Sequence, residues 1–174
     1  LLIAAALGGL GRQALKLASE YACERIQFGQ PIGQFQAISH PLADCLCEVD
    51  GGKLFVWKTI RDLADGAPDA GANISAALWQ ASHAASLTVA QSLQTFGGYG
   101  LTTEYDIYLY NLRAKALPLV WGDPQDLLEE AGRRRYGGES PSLPEAGDTP
   151  IEFEIGEEAE AMMAEIDAFM TANV

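Results

Sequence analysis

Three glycines fall within four positions in Gln94-Thr95-Phe96-Gly97-Gly98-Tyr99-Gly100, and this stretch is the best suited in the chain to approach a ligand closely. Without a Cβ, glycine lets backbone N–H groups reach an anion, and phosphate or pyrophosphate is the usual ligand of such a turn. The plainer use of the same residues is a helix C-cap and a tight turn, and spacing alone admits both. Other side chains with chemical capacity are scattered. His40 and His83 sit on separate helical patterns with no spacing that marks a base or a ligand, so structural roles are expected. Cys23, Cys45 and Cys47 form neither a metal spacing nor an even-numbered disulfide framework. All three are expected to be small buried apolar residues in a reducing compartment. Glu157, Glu158 and Glu160 read as a solvated face, and Glu104 and Asp106 as solvated turn residues. Gly8, Gly9 and Gly11 mimic a dinucleotide fingerprint, but no strand precedes them, which points to close helix–helix packing instead. No nucleophile triad and no metal-ligand set is legible.

The elements that must carry these residues are helical. Residues 1–24 repeat small and apolar side chains at three-to-four spacing, and residues 36–64 do so from Ile38 to Leu63. Pro41 lies in the first turns of the second pattern, where it is best tolerated, and Gly51-Gly52 suggests a close crossing or a kink. Residues 25–35 contain Gly29, Pro31 and Gly33 and read as an irregular connection. Its Ile26, Phe28, Ile32 and Phe35 suggest that it is tucked against something. A third helix is expected over 70–96, a shorter one over 102–116 interrupted by Pro118, and another over 123–135. Arg133-Arg134-Arg135 suits a helix C-terminus, and an anion site is the alternative. No convincing alternating strand appears. The fold class expected is all-α, an antiparallel four-helix-bundle-like domain over residues 1–135. Residues 136–150 read as a linker, and 151–174 as an acidic amphipathic tail helix. That helix either starts a second domain or docks back on the bundle.

Charge separates the same parts. The net charge is −13, yet residues 1–122 carry 8 basic and 10 acidic side chains while residues 123–174 carry 3 and 14. The acidity therefore belongs to the tail, and it disfavours nucleic acid and anionic membrane as partners. The opening run Leu1-Leu2-Ile3-Ala4-Ala5-Ala6-Leu7 is too short to span a bilayer and lacks a basic region before it. With no Met at position 1, it reads as the middle of a pattern cut from a longer polypeptide. A cytoplasmic location is expected.

Two stretches in combination resemble a known family. Arg25-Ile26-Gln27-Phe28-Gly29-Gln30-Pro31-Ile32, with Phe35-Gln36 just after it, is similar to the Arg-x-x-Phe-Gly-x-x-Ile…Phe-Gln signature of acyl-CoA dehydrogenases. Gln94-x-Phe96-Gly97-Gly98-x-Gly100 resembles that family's Gln-x-x-Gly-Gly-x-Gly loop at a matching distance downstream. Glu104-Tyr105-Asp106-Ile107-Tyr108-Leu109-Tyr110 with Arg113-Ala114 is similar to a branch that includes bacterial steroid and unusual-acyl enzymes. The resemblance covers residues 1 to about 135, the family's C-terminal helical domain. Residues 151–174 resemble the first helix of an N-terminal domain of the family, which would make the full chain a tandem fusion.

The resemblance implies FAD as cofactor and an acyl-CoA thioester as substrate, dehydrogenated to a 2-enoyl-CoA. It implies that Arg25 pairs with the FAD pyrophosphate, that Gln27 and Phe28 touch the same flavin, and that Gln94, Gly97 and Gly98 lie along its adenosine–pyrophosphate side. In the family such contacts reach a neighbouring protomer's flavin, so a homo- or hetero-oligomer of dehydrogenase units is implied; the electron acceptor is left open. The chain departs from the pattern at the usual base, a Glu in Tyr-Glu-Gly-Thr. The matching run here is Val120-Trp121-Gly122-Asp123, and Trp121 cannot accept a proton. Some members carry the base about two residues before the position of Leu1. No catalytic residue is therefore assigned within the chain, and the chain alone is expected to be inactive. A catalytically silent unit that completes a neighbour's flavin site is the rival reading, and a purely structural bundle is the third.

Overall fold

A computed structural model describes residues 1–137. The linker and tail helix read from the sequence lie outside those residues. Five α-helices make up the described part: α1 Leu2–Glu24, α2 Gln36–Ala64, α3 Ala70–Phe96, α4 Ile107–Ala116 and α5 Pro124–Gly137. The helical bundle expected from periodicity is the fold observed. Helices α2 and α3 have the expected bounds, and Pro41 sits inside α2 without ending it.

Helix α3 is the centre. It packs against α1, α2, α4 and α5, and it buries most of its surface, including Ala77, Ala81, Ala84, Ala85, Thr88, Val89 and Ser92, while His83, Ser86, Leu87, Ala90 and Gln94 form an exposed stripe on its C-terminal half. A helix packed against several neighbours must present small side chains to them if they are to approach closely. α1 meets it with Leu7, Gly11, Ala14 and Ala18, and α2 with Val49, Gly52 and Val56. A Cβ on Gly11 would stand 3.2 Å from Val49 Cγ2 and 3.5 Å from Ala85 Cα, so that glycine sets a close approach. Gly8, Gly9 and Gly51 have open space where a Cβ would be. The close-packing expectation thus holds for Gly11 and not for its two neighbours. Three buried hydroxyls on these helices are satisfied locally: Ser82 Oγ, Thr95 Oγ1 and Thr59 Oγ1 each donate to the carbonyl four residues earlier.

Several sequence-based expectations are corrected. The 25–35 connection holds a two-rung antiparallel hairpin, β1 Ile26–Gln27 and β2 Gln30–Pro31, although the sequence there shows no strand-like alternation. Its tip is not tucked in: Phe28 is 94% exposed. Helix α4 starts at Ile107 rather than 102, because a 3-10 turn over Gly97–Leu101 and an extended Thr102 intervene. Cys45 is buried, but Cys23 and Cys47 are exposed. On α2 a two-residue step turns about 200°, so Cys45 and Cys47 cannot share one buried face. Burial pushes the Cys45 thiol above its usual range.

Helix α5 has no buried residue, yet it is tied down by charge. Arg133 and Arg134 both pair with Glu130. Arg134 Nη1 also donates to the Gly71 carbonyl at 3.3 Å, and Arg135 lies 3.7 Å from Asp69. The arginine run is therefore engaged with the start of α3 and with its own helix, rather than arranged as an anion site. Among the described residues no helix is long and apolar enough to cross a membrane.

Gly100 is the tightest glycine among the described residues. A Cβ there would stand 2.8 Å from the Leu93 carbonyl oxygen and 3.2 Å from Phe96 Cβ. Backbone oxygen cannot move aside as a flexible side chain does, so Gly100→Ala should destabilise the protein by about 1–3 kcal/mol. Urea unfolding monitored by far-UV circular dichroism measures this; an unchanged midpoint would refute the close approach.

Candidate functional site

Packing brings two helix ends together. α1 ends at Glu24 and α3 at Phe96, and the two helices pack along their length, so the segments beginning at Arg25 and at Gly97 lie at the same end of the bundle. Tyr21 of α1 stacks on Phe96 of α3, with ring centroids 4.3 Å apart. Beyond this stack lies an open cleft of about 450 Å³ lined by Arg25 and Gln27 from one side and by Gly97, Gly98, Tyr99 and Thr102 from the other.

Among the described residues, Arg25 is the only charged one lining the cleft. Its backbone is held on both sides: its N–H donates to the Tyr21 carbonyl and its carbonyl accepts from the Ile32 N–H, both at 2.9 Å. Its side chain is exposed, and none of the ion pairs among the described residues involves it. A guanidinium left without a carboxylate keeps its donor fork available to a diffusible anion. Gln27 donates from Nε2 to the neighbouring Ile26 carbonyl, which leaves its amide oxygen unassigned. Burial pushes the Tyr21 hydroxyl above its usual range, and the Arg25 charge opposes that rise.

The opposite wall is glycine backbone. Gly97 caps α3 at φ 60°, ψ −136°, a region effectively restricted to glycine, with its N–H donating to the Gln94 carbonyl. Nothing lies within 4 Å of where a Cβ would stand on Gly97 or Gly98, so the backbone there faces open space. The stretch is a helix cap that also leaves backbone accessible beside a cation. A pyrophosphate-bearing cofactor fits this donor set of one free guanidinium facing unobstructed glycine backbone.

Four of the sequence-predicted residues, Arg25, Gln27, Gly97 and Gly98, line one cleft. Gln94 and Phe28 do not. The Gln94 side chain is exposed one turn back on α3, and its contribution to the loop is its carbonyl. Phe28 stands at the hairpin tip with φ 53°, next to Gly29 at φ 81°. Two successive positive φ values fit a type I′ turn, where Asn-Gly is the favoured pair and a bulky aromatic is strained. Phe28 touches Phe35 edge-on at 6.2 Å and otherwise points to solvent. Sequence reasoning missed Tyr21, Tyr99 and Tyr105, which share the cleft end. Tyr21 had a signal, since it lies in the last turn of α1, four residues before Arg25. His40 and His83 are both exposed, and His83 stacks on Trp79.

Comparison with known proteins matches the chain to a known family. The pattern described as "Acyl-CoA dehydrogenase, C-terminal domain" matches residues 1–134. Acyl-CoA dehydrogenase IpdE2 of Mycolicibacterium smegmatis is 34% identical over 128 residues, which are 74% of this chain and 39% of that protein. The structure of butyryl-CoA dehydrogenase from Megasphaera elsdenii superposes with a TM-score of 0.71 at 32% identity, covering 75% of this chain and 34% of that one. The FAD complex of PigA superposes with a TM-score of 0.70 at 28% identity, covering 77% and 34%. The chain thus spans 39% or less of the length of each of these proteins.

The strain at the hairpin tip is measurable. Left-handed backbone costs an ordinary residue about 1–2 kcal/mol, and Asn tolerates it better. Phe28→Asn should therefore raise the unfolding free energy of the purified chain by about 1 kcal/mol. A lower stability would show that the Phe28–Phe35 contact outweighs the strain.

Proposed function

The chain belongs to the acyl-CoA dehydrogenase family, through that family's C-terminal domain, and from this premise we propose that it supplies flavin contacts to an FAD-dependent acyl-CoA dehydrogenase. In this reading the intact protein removes hydrogens from the α and β carbons of an acyl-CoA thioester. The observation that carries it is the Arg25 guanidinium, free of any carboxylate, facing the open Gly97-Gly98 backbone across the cleft. Arg25 would hold the pyrophosphate by a charge-assisted fork, and the N–H groups of Gly97 and Gly98 would approach the same dinucleotide. Gln27 would present its amide oxygen beside them. The chemistry that flavin supplies when bound is the two-electron oxidation of the acyl chain; the protein's part is to bind and orient.

Phe28 supports an oligomer. Its aromatic ring is 94% exposed, held at positive φ, and touched among the described residues only at its edge by Phe35. Such a ring suits packing against a neighbouring unit's cofactor or surface. Gln94 would act from the same side, through its side chain at the end of α3. The acyl-CoA substrate, the oligomer and an electron acceptor belong to the intact protein.

Trp121 supports a second reading, a unit that completes a neighbour's flavin site without catalysing. Abstraction of the α-proton needs a base, and an indole has none. The residue ends a 3-10 turn over Pro118–Trp121, at the position where the family's usual motif carries Glu. Proton abstraction here must come from a carboxylate elsewhere in the intact protein, or this unit is silent.

Two measurements on the intact protein test these readings. Arg25→Ala removes a charged hydrogen-bonding partner worth about 1.5–3 kcal/mol, so the Kd for FAD should rise by roughly tenfold or more. Unchanged FAD affinity would reduce Arg25 to a surface charge. For Trp121, replacement by Phe should leave turnover of acyl-CoA within a few fold, because no proton acceptor is lost. Abolished turnover with full flavin content would instead place the indole in the chemistry.

A further inference from the structure

We propose that Tyr99 is a positioning residue that aims the Arg25 guanidinium at the cofactor anion, an inference that rests on the flavin-contact reading above. Tyr99 occupies the free position between Gly98 and Gly100, where the loop motif itself specifies no side chain. The Arg25 Cζ lies 5.6 Å from the centroid of the Tyr99 ring. No ion pair among the described residues holds that guanidinium, so the aromatic face is the contact that orients it.

The choice of a ring over a carboxylate has a physical consequence. A carboxylate would occupy the in-plane N–H donors and neutralise the charge. An aromatic face attracts the cation through its quadrupole and leaves both charge and donor fork directed outward. The ring is also well anchored. Its backbone carbonyl accepts from the Thr102 N–H at 3.1 Å and from Thr102 Oγ1 at 2.8 Å. Its edge meets Tyr105 at 6.1 Å, and Tyr105 packs in turn on Phe96 at 5.0 Å and edge-on to Tyr21 at 5.7 Å. The aromatic brace therefore runs from α1 through the end of α3 to the glycine loop, and it ties the orientation of Arg25 to the backbone that Arg25 faces.

A double-mutant cycle on the intact protein, deflavinated and titrated with FAD, tests this. Tyr99→Leu should raise the FAD Kd by roughly two- to fivefold, the range of an exposed cation–π contact. Tyr99→Phe, which keeps the ring face, should restore wild-type affinity. In an Arg25→Ala background, Tyr99→Leu should have no further effect. An equal loss from Tyr99→Leu with and without Arg25 would overturn the inference, because Tyr99 would then act independently; so would no loss at all. If Arg25→Ala itself leaves FAD affinity unchanged, the flavin-contact reading falls and takes this inference with it. Thermal unfolding of each apo-protein verifies the fold, and Tyr99→Gln replaces Tyr99→Leu in the cycle if the latter does not fold.

Discussion

Helix α3 can take four helices against it only because the side chains on its buried faces are small, and the rest of the molecule depends on that. Alanine, serine and glycine around the helix let α1 and α2 approach closely, with Gly11 fitted between Val49 and Ala85. Helices that pack this closely along their length have little freedom to slide, since each ridge sits in a groove of fixed position. The end of α1 is thereby fixed against the end of α3. Arg25 and the Gly97–Gly100 turn are distant in sequence but meet across one cleft for this reason. The site is a consequence of core packing rather than of any local motif.

Electrostatics and strain then give the cleft its character. Residues 1–122 are nearly balanced in charge, and several cations on the long helices have a carboxylate at hand: Arg12 with Asp50, Lys58 with Asp62, Arg61 with Asp65. Arg25, at the mouth of the cleft, is in none of the ion pairs among the described residues, and neither are Lys53, Arg113 and Lys115. Phe28 and Gly97, at the hairpin tip and the helix cap on either side of it, both lie at positive φ. A folded chain maintains a strained aromatic only where surrounding contacts over-determine it. Here the hairpin rungs and the Ile32–Arg25 hydrogen bond do so.

The helices are legible in the sequence because their boundaries are punctuated. Asp65-Gly66-Ala67-Pro68 ends α2, and Gly97-Gly98 ends α3, so periodicity and breakers agree to the residue. The hairpin escapes because two-residue strands carry no alternation to detect. The delayed start of α4 escapes because Thr102–Asp106 reads as polar helix surface as easily as turn. Periodicity also does not say which of several nearby glycines faces the partner helix, so Gly8 and Gly9 read the same as Gly11. In the site, Arg25, Gln27, Gly97 and Gly98 are legible through their motifs. The tyrosines are not, because their role exists only after α1 and α3 are docked.

The position of Trp121 can be weighed against this geometry. Pro118 and Leu119, in the turn that ends at Trp121, line a separate cleft with Ser82 and His83 of α3. The cleft at Arg25 meets α3 at Thr95 and Phe96. Thirteen residues of helix separate Ser82 from Thr95, a distance of about 20 Å at roughly 1.5 Å per residue. The turn that ends at Trp121 and the cleft at Arg25 therefore meet α3 at its middle and at its C-terminal end. The guanidinium, the open glycine backbone and the aromatic brace all lie at the C-terminal end of α3, away from that turn. On the proposal made above, flavin contact at the Arg25 cleft therefore does not depend on which unit carries the base.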